Sequence, residues 1–243
     1  MAPSAGYLYV VHLDQLSLAW EYLRRNPDYQ HDWHAVADAR QSPERWGLHA
    51  FESPYLDALD ARPMWTTPSP SIVEIHALSD AHSEADTFDL WRIPGKKHLL
   101  HDGARLLLTS DLCASTVRFA LTRDVAWNVP FAYSIPAGRC MSRVWKLLMK
   151  HQRSLASSVA DGWGARERPD RSALFHMHAL QALDASLAGA SLKQVAEALF
   201  GADEVLTGWH PDSDLRARVR RLVRAARHSM VCGYRELLKS TSV

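Results

Sequence analysis

Apolar positions along this chain change their period twice, and the changes divide it into three stretches. Through the first sixty-odd residues they recur at helical spacing in short runs. Leu18, Trp20, Tyr22 and Leu23 lie on one run, Ser17 to Arg25, and Asn26 ends it, because a residue before proline is pushed out of helical geometry. Asn26 also caps a second predicted helix, with Pro27 first and Asp28 in its first turn, that continues through Tyr29, Trp33, Val36 and Ala37. Trp20, Tyr29, Trp33, Trp46 and Phe51 are expected to form a small aromatic core rather than a ligand-stacking platform. Pro63 to Pro70 reads as a connector.

From Ser71 to Pro136 the period shortens. β-prone runs at Ser71 to His76, Thr87 to Ile93, Ala104 to Thr109, Ser115 to Leu121 and Val129 to Ile135 predict a small antiparallel sheet. Asp102-Gly103, between His98-Leu99-Leu100 and Arg105-Leu106-Leu107, predicts a two-residue hairpin. Lys96, Lys97, His98 and Arg105 place positive charge beside it, and solvated edge charges account for them at least as well as phosphate contacts do.

Beyond Gly138 the helical period returns. Val144, Leu147, Leu148 and Leu155 keep it among Arg143, Lys146, Lys150, His151 and Arg153, and the polar stretch Ser157 to Ser172 reads as a loop. A helix from Leu174 to about Leu187 is expected to bury Phe175, Leu180, Leu183 and Leu187, with Gly189 closing it. Ser191 and Gln194 have the spacing of a capping box for a short helix carrying Leu192, Val195, Ala196, Leu199 and Phe200, and Gly201 ends it. That is the size of the supporting helix in a helix-turn-helix. Gly201 to Asp214 exceeds a standard turn and has room for an extra helix at Asp203 to Thr207, which leaves the identity of the recognition helix open. A last helix starts near Pro211-Asp212-Ser213-Asp214 and reaches about Leu238, with Leu215, Val219, Leu222, Val223, Ala226, Met230, Tyr234, Leu237 and Leu238 as its buried stripe. The expected fold class is α+β: a helical N-terminal segment (1–66), a small antiparallel β-rich unit packed with it (67–138), and an all-helical C-terminal domain with a helix-turn-helix-like element (139–243).

Charge sharpens the picture. A net charge of +1 conceals fourteen acidic against five basic residues up to Leu90, a balance of −9, so the remainder carries +10. Much of that excess lies on the last helix. Arg216, Arg220, Arg224 and Arg227 step by four, four and three into one row, and Arg218 and Arg221 widen it. Almost no acid offsets them between Leu215 and Arg235. Guanidinium groups suit bidentate contacts to phosphate and to guanine edges. These six arginines, with Lys193 on the preceding helix, are the candidate DNA-contacting residues. The competing reading is a solvated face, or one paired with the acidic front of the chain.

Composition excludes several classes. With 47% apolar and 23% charged residues the chain is a folded protein rather than a disordered one. Three widely spaced cysteines, Cys113, Cys140 and Cys232, point to a reducing compartment. No signal-like segment opens the chain and no apolar run approaches the ~20 residues that span a bilayer, so a soluble, cytoplasmic protein without a membrane partner is expected. No GxSxG elbow, phosphate-binding glycine loop or HExxH pattern occurs, which argues against an enzyme and against a cofactor. His176 and His178 should diverge on their helix, and His98 with His101 lacks a partner at ligand spacing, so no metal site is expected.

Ser191-Leu-Lys-Gln-Val-Ala-Glu-Ala-Leu-Phe-Gly201, Leu215-Arg-Ala-Arg-Val-Arg-Arg-Leu-Val-Arg224 and Gly233-Tyr-Arg-Glu-Leu-Leu238 resemble the C-terminal DNA-binding domain of RovC-like transcriptional regulators. Trp20-Glu-Tyr-Leu-Arg-Arg-Asn-Pro-Asp-Tyr29 with Asp32-Trp33 is similar to the N-terminal domain of two-domain activators of the FseA type. The resemblance implies a sequence-specific transcriptional activator of mobile-element excision and transfer or of type VI secretion genes. It also implies double-stranded promoter DNA as partner, a homo-oligomer (a hexamer in some relatives), and RNA polymerase or an antiactivator as further partners. The polarised charge independently favours head-to-tail self-association. A regulator that binds another protein and never touches DNA is the alternative.

Overall fold

The computed structural model describes residues 4–35, 41–66, 72–78, 86–93, 96–101, 103, 105–112, 115–134, 145, 149 and 171–239. The basic helix expected around Val144 to Leu155 and the loop from Ser157 lie outside these residues, apart from positions 145 and 149. Contacts gather the chain into two compact units, Met1–Pro63 with Arg168–Ser240, and Met64–Glu167 with Thr241–Val243. This grouping differs from the consecutive division expected above: the front of the chain clusters with its last helices. Among the described residues no helix is long and apolar enough to cross a membrane.

The first unit is helical. A 3-10 helix, Ser4–His12, precedes α1, Gln15–Leu23, which Asp14 caps by accepting the Ser17 amide at 2.8 Å. Every residue of α1 from Leu16 onward is buried. Helix α2, Pro27–His34, starts as predicted: Asn26 Oδ1 accepts the amides of Asp28 and Tyr29, and Pro27 stands where no amide donor is needed. Tyr29 meets Trp20 edge-on at 5.7 Å and Trp46 at 5.6 Å, with Phe51 tilted at 6.0 Å, so four of the five expected aromatic residues form a core, while Trp33 packs edge-on against His34 and Tyr55. The Tyr29 hydroxyl donates to the Glu52 carbonyl at 2.6 Å.

The rear of this unit comprises α3, Arg171–Leu187; α4, Leu192–Phe200; α5, Ala202–Gly208; α6, Asp214–His228; a π-turn, Ser229–Gly233; and α7, Tyr234–Lys239. Helix α3 packs on α6, on α4 and on the first 3-10 helix, while α1 packs on α7, the π-turn and α3. Phe175 and Leu187, expected to be buried, are 44% and 43% exposed. Both lie toward the ends of α3, outside the stretch from Met177 to Ala185 that holds its buried residues. Gly189, at φ 82, closes α3 with the Ala190 amide donating to the Ala185 carbonyl, a Schellman geometry. The long last helix is interrupted where its apolar residues step by four at Leu222, Ala226, Met230, Tyr234 and Leu238. Repeated fours drift around a 3.6-residue helix, and the wider π-turn winds the stripe back onto the core.

Buried charge ties the two ends of the chain together. Arg25 donates through Nε and Nη2 to the Asp184 carboxylate at 2.7 and 2.9 Å, and through Nη1 to the Glu21 carboxylate and carbonyl. Glu21, fully buried, also accepts Arg24 Nε at 2.9 Å and the Ala58 amide at 2.7 Å. Tyr7 donates to Asp184 at 2.7 Å, Asn26 Nδ2 to the Met230 carbonyl at 3.2 Å, and the Tyr234 hydroxyl to the Trp46 carbonyl at 3.2 Å. Burial raises the pKa of Glu21, but Arg25 and Arg24 outweigh it and hold the carboxyl below its ordinary value.

The second unit holds a five-stranded sheet in the order β2-β3-β4-β1-β5, from β1, Ile72–Ala77; β2, Lys96–His101; β3, Leu106–Leu112; β4, Ser115–Leu121; and β5, Phe131–Ser134. It is mixed rather than antiparallel, because β1 runs parallel to β4 with Val73 opposite Phe119. Thr87 to Ile93, expected as a strand, makes a single bridge, Thr87 to Pro130, and a 3-10 turn at Leu90–Arg92. Its apolar residues cap the sheet instead: Phe88 and Ile93 join Val73, Ile75, Leu108, Phe119 and Leu121 in the core. The expected hairpin forms, but His101 pairs with Leu106, so the loop has four residues rather than two. That two-residue slip keeps every side chain on its predicted face.

Candidate nucleic-acid interface

Helix α6 positions the arginine row. Ser213 caps it by accepting the Arg216 amide at 3.2 Å, and Val219, Leu222 and Ala226 are buried against the rest of the unit. Burial of that stripe fixes the rotation of the helix, so the opposite side faces solvent. Arg218, Arg220, Arg221, Arg224 and Arg227 are exposed and Arg216 is half-buried. Among the described residues, no carboxylate lies within 4.0 Å of any of these six guanidinium groups. Among the described residues, these arginines are thus not paired with the acidic front of the chain.

The six are nevertheless not equivalent. Arg227 Nη2 donates to Ser186 Oγ at 2.7 Å, which fastens α6 to the end of α3. Arg216 Nη1 reaches the Pro211 carbonyl at 3.4 Å. Arg218 lays its guanidinium over the Phe200 ring, 4.9 Å from the centroid, at the end of α4. His178 of α3 stands on the same ring at 6.5 Å; burial first, and the Arg218 charge second, hold its pKa below the ordinary imidazole value. Among the described residues, Arg220, Arg221 and Arg224 make no side-chain contact of this kind, and all three are exposed.

Lys193 is exposed in the first turn of α4, and no contact joins it to the α6 row. The predicted capping box of α4 is present, with Gln194 N to Ser191 Oγ at 3.3 Å and Ser191 N to Gln194 Oε1 at 2.8 Å. A single residue, Gly201 at φ 91 and ψ 157, separates α4 from α5. Helix α5 matches the extra helix expected at Asp203 to Thr207, and its first turn exposes Asp203 and Glu204. Two carboxylates at a helix N-terminus oppose phosphate, so α5 is poorly suited to enter a groove and α6 is well suited.

Elsewhere the sequence candidates are engaged. Arg105 Nη1 donates to Glu74 at 2.8 Å and Lys97 Nζ lies 5.8 Å from the Trp91 centroid. His176 Nδ1 sits 2.9 Å from the Tyr22 hydroxyl, so His176 and His178 diverge to different neighbours. No group of three or more metal-ligating side chains occurs among the described residues. What residue-by-residue reasoning missed is the Phe200 and His178 support of Arg218, since Phe200 is marked in the sequence only as an apolar helix position.

Three family models match the chain in succession. A proteobacterial transcriptional regulator-like domain matches residues 2–50, a domain of unknown function, DUF7011, matches 70–116, and the RovC DNA-binding domain, described as a T6SS transcription factor DNA-binding domain, matches 134–239. None of the curated proteins matches it. The first and last matched stretches contribute to the same compact unit, where α1 packs on α3 and α7. With a match to a transcription-factor DNA-binding domain behind and to a regulator-like domain in front, the chain is similar to RovC-like regulators at both ends.

Proposed function

We propose that this protein is a cytoplasmic, sequence-specific DNA-binding transcriptional activator that holds promoter DNA against the exposed side of α6 and works as a homo-oligomer. One observation carries the reading: a 15-residue helix with a buried apolar stripe turns Arg218, Arg220, Arg221, Arg224 and Arg227 to solvent with no carboxylate at hand. Such a concentration of like charge repels itself until a polyanion lies along it. The match to a transcription-factor DNA-binding domain supports the same partner. Arg220, Arg221 and Arg224 contact phosphate in this reading, while Arg227 and Arg216 keep the helix seated.

Gel-shift titration with promoter DNA tests it. Replacing Arg220 and Arg224 together by Ala is expected to abolish the shift while the circular dichroism spectrum is retained, because both side chains are exposed. If about five phosphates are neutralised, log affinity falls against log salt with a slope near −4 to −5. Binding that is unaltered in the double variant refutes the assignment. Light scattering at micromolar concentration tests the assembly, and a monomer there rejects it.

A further inference from the structure

The six arginines of α6 differ in how they are held, and the difference suggests a division of labour. Arg220, Arg221 and Arg224 are long side chains in water, each free to sample many rotamers. Their charge attracts a phosphate from any direction, and a point charge is all that contact requires. Arg218 is different. Its guanidinium carbon lies over the Phe200 ring, 4.9 Å from the centroid, a contact that narrows the rotamers the side chain samples. Among the described residues, no other guanidinium of the row lies over a ring.

Three elements meet at this point. Phe200 is the last residue of α4, His178 comes from the third turn of α3, and Arg218 stands in the first half of α6. The carbonyl end of α4 carries the negative pole of its dipole, which favours a cation there. The His178 ring of α3 stands beside Phe200, 6.5 Å between centroids, and adds bulk there. Position along α6 matters as well: helices that read a groove touch base edges with residues of their N-terminal part, and Arg218 is the fifth residue of α6. A planar, edge-presenting guanidinium is the group that pairs bidentately with O6 and N7 of guanine.

We propose that Arg218 is the specificity-determining contact of this helix, held edge-outward for a guanine by Phe200 and His178 as positioning residues, while Arg220, Arg221 and Arg224 supply sequence-independent attraction. The proposal rests on the DNA-binding reading above and adds which arginine reads sequence.

The experiment uses the full chain, the genomic fragment most enriched by the wild-type protein from sheared DNA, and an unrelated duplex of equal length, both at 0.1 M salt. The readout is the ratio of the two affinities. Arg218→Ala and Arg218→Lys are each expected to lower that ratio, roughly ten- to a hundredfold for loss of one bidentate base contact. Arg220→Lys and Arg224→Lys are expected to keep it within about twofold, since lysine serves phosphate as well. Phe200→Leu is expected to lower the ratio about two- to fivefold, the worth of an exposed cation–π contact, and to have no effect once Arg218 is Ala. Phe200→Trp, which restores a ring face, is expected to recover it. Arg218→Lys that retains the ratio overturns the proposal. So does Phe200→Leu acting equally with and without Arg218, which marks a role in packing alone. Wild-type protein that binds both duplexes equally also overturns it while DNA contact stands, and wild-type protein that binds neither refutes the DNA-binding reading itself.

Discussion

Removing the Arg25 guanidinium tests whether the front segment and the rear helices form one cooperative body. Its side chain is 9% exposed, that of Glu21 is fully buried, and that of Asp184 is 32% exposed. Deleting one partner of a buried pair leaves the other charge without compensation, at a cost of about 3–5 kcal/mol. Two features hold Arg25→Ala near the lower end. Glu21 retains Arg24 and the Ala58 amide, and Asp184 regains water, where an ion pair is worth at most about 1 kcal/mol. A loss of about 3 kcal/mol lowers the midpoint of thermal unfolding by roughly 6–12 °C in a chain of this size. The pH dependence has a definite sign. Glu21 ionises more readily in the fold than at its ordinary value of 4.5, so its contribution is complete above that pH and is lost as pH falls through the depressed folded value. The gap between wild type and Arg25→Ala is therefore widest near neutrality and narrows below about pH 4.5. Urea titrations followed by far-ultraviolet circular dichroism at pH 7 and pH 4 measure both. A loss under about 1 kcal/mol at pH 7, or a gap that widens with acid, refutes the account of Arg25 as the buried link.

Gly201→Ala is expected to cost about 1–3 kcal/mol in denaturant titration, because φ 91 with ψ 157 is open essentially to glycine alone. A Cβ there meets nothing within 4 Å, so the cost is purely of the backbone, and an unchanged midpoint contradicts it. Gly189→Asn is expected to be milder, since asparagine tolerates the left-handed geometry at φ 82. Burial raises the phenol pKa of Tyr7, Tyr22 and Tyr29, and burial followed by Glu21 pushes that of Tyr9 up to about 12. Stability from these phenols is complete below about pH 10 and lost as pH rises through the raised values, so ultraviolet titration should show these four phenolates appearing together with unfolding; a reversible rise near pH 10 in folded protein large enough to include them contradicts it.

Whatever acts over three or four residues was legible in the sequence. Asn26 with Pro27, the Ser191–Gln194 box, Ser213 before α6, and the Val219–Leu222–Ala226 stripe all formed as their spacing requires. So did the arginine row, since helical spacing alone determines which of its members share a side. Partners distant in sequence were not legible. Glu21 and Arg25 carry no mark in the sequence beyond their charge, and only α3 brings Asp184, 159 residues from Arg25, into contact. The Trp20 to Tyr29 motif, a mark of family in the sequence, is in the fold a set of packing, capping and ion-pairing residues.

Sequence by itself determined most of the helices, the caps at Asn26 and Ser191 and the polarity of charge, because a hydrogen bond from a cap or a period of apolar residues is complete within one turn of chain; the turn at Leu90–Arg92 and the π-turn in the last helix were not legible there. Tertiary structure alone decided that β1 lies parallel to β4, that the first and last stretches build one unit, and that Arg218 rests on a ring while Arg220 and Arg224 stay free. These depend on which surfaces meet when apolar area leaves water, and that choice is made by the whole chain at once.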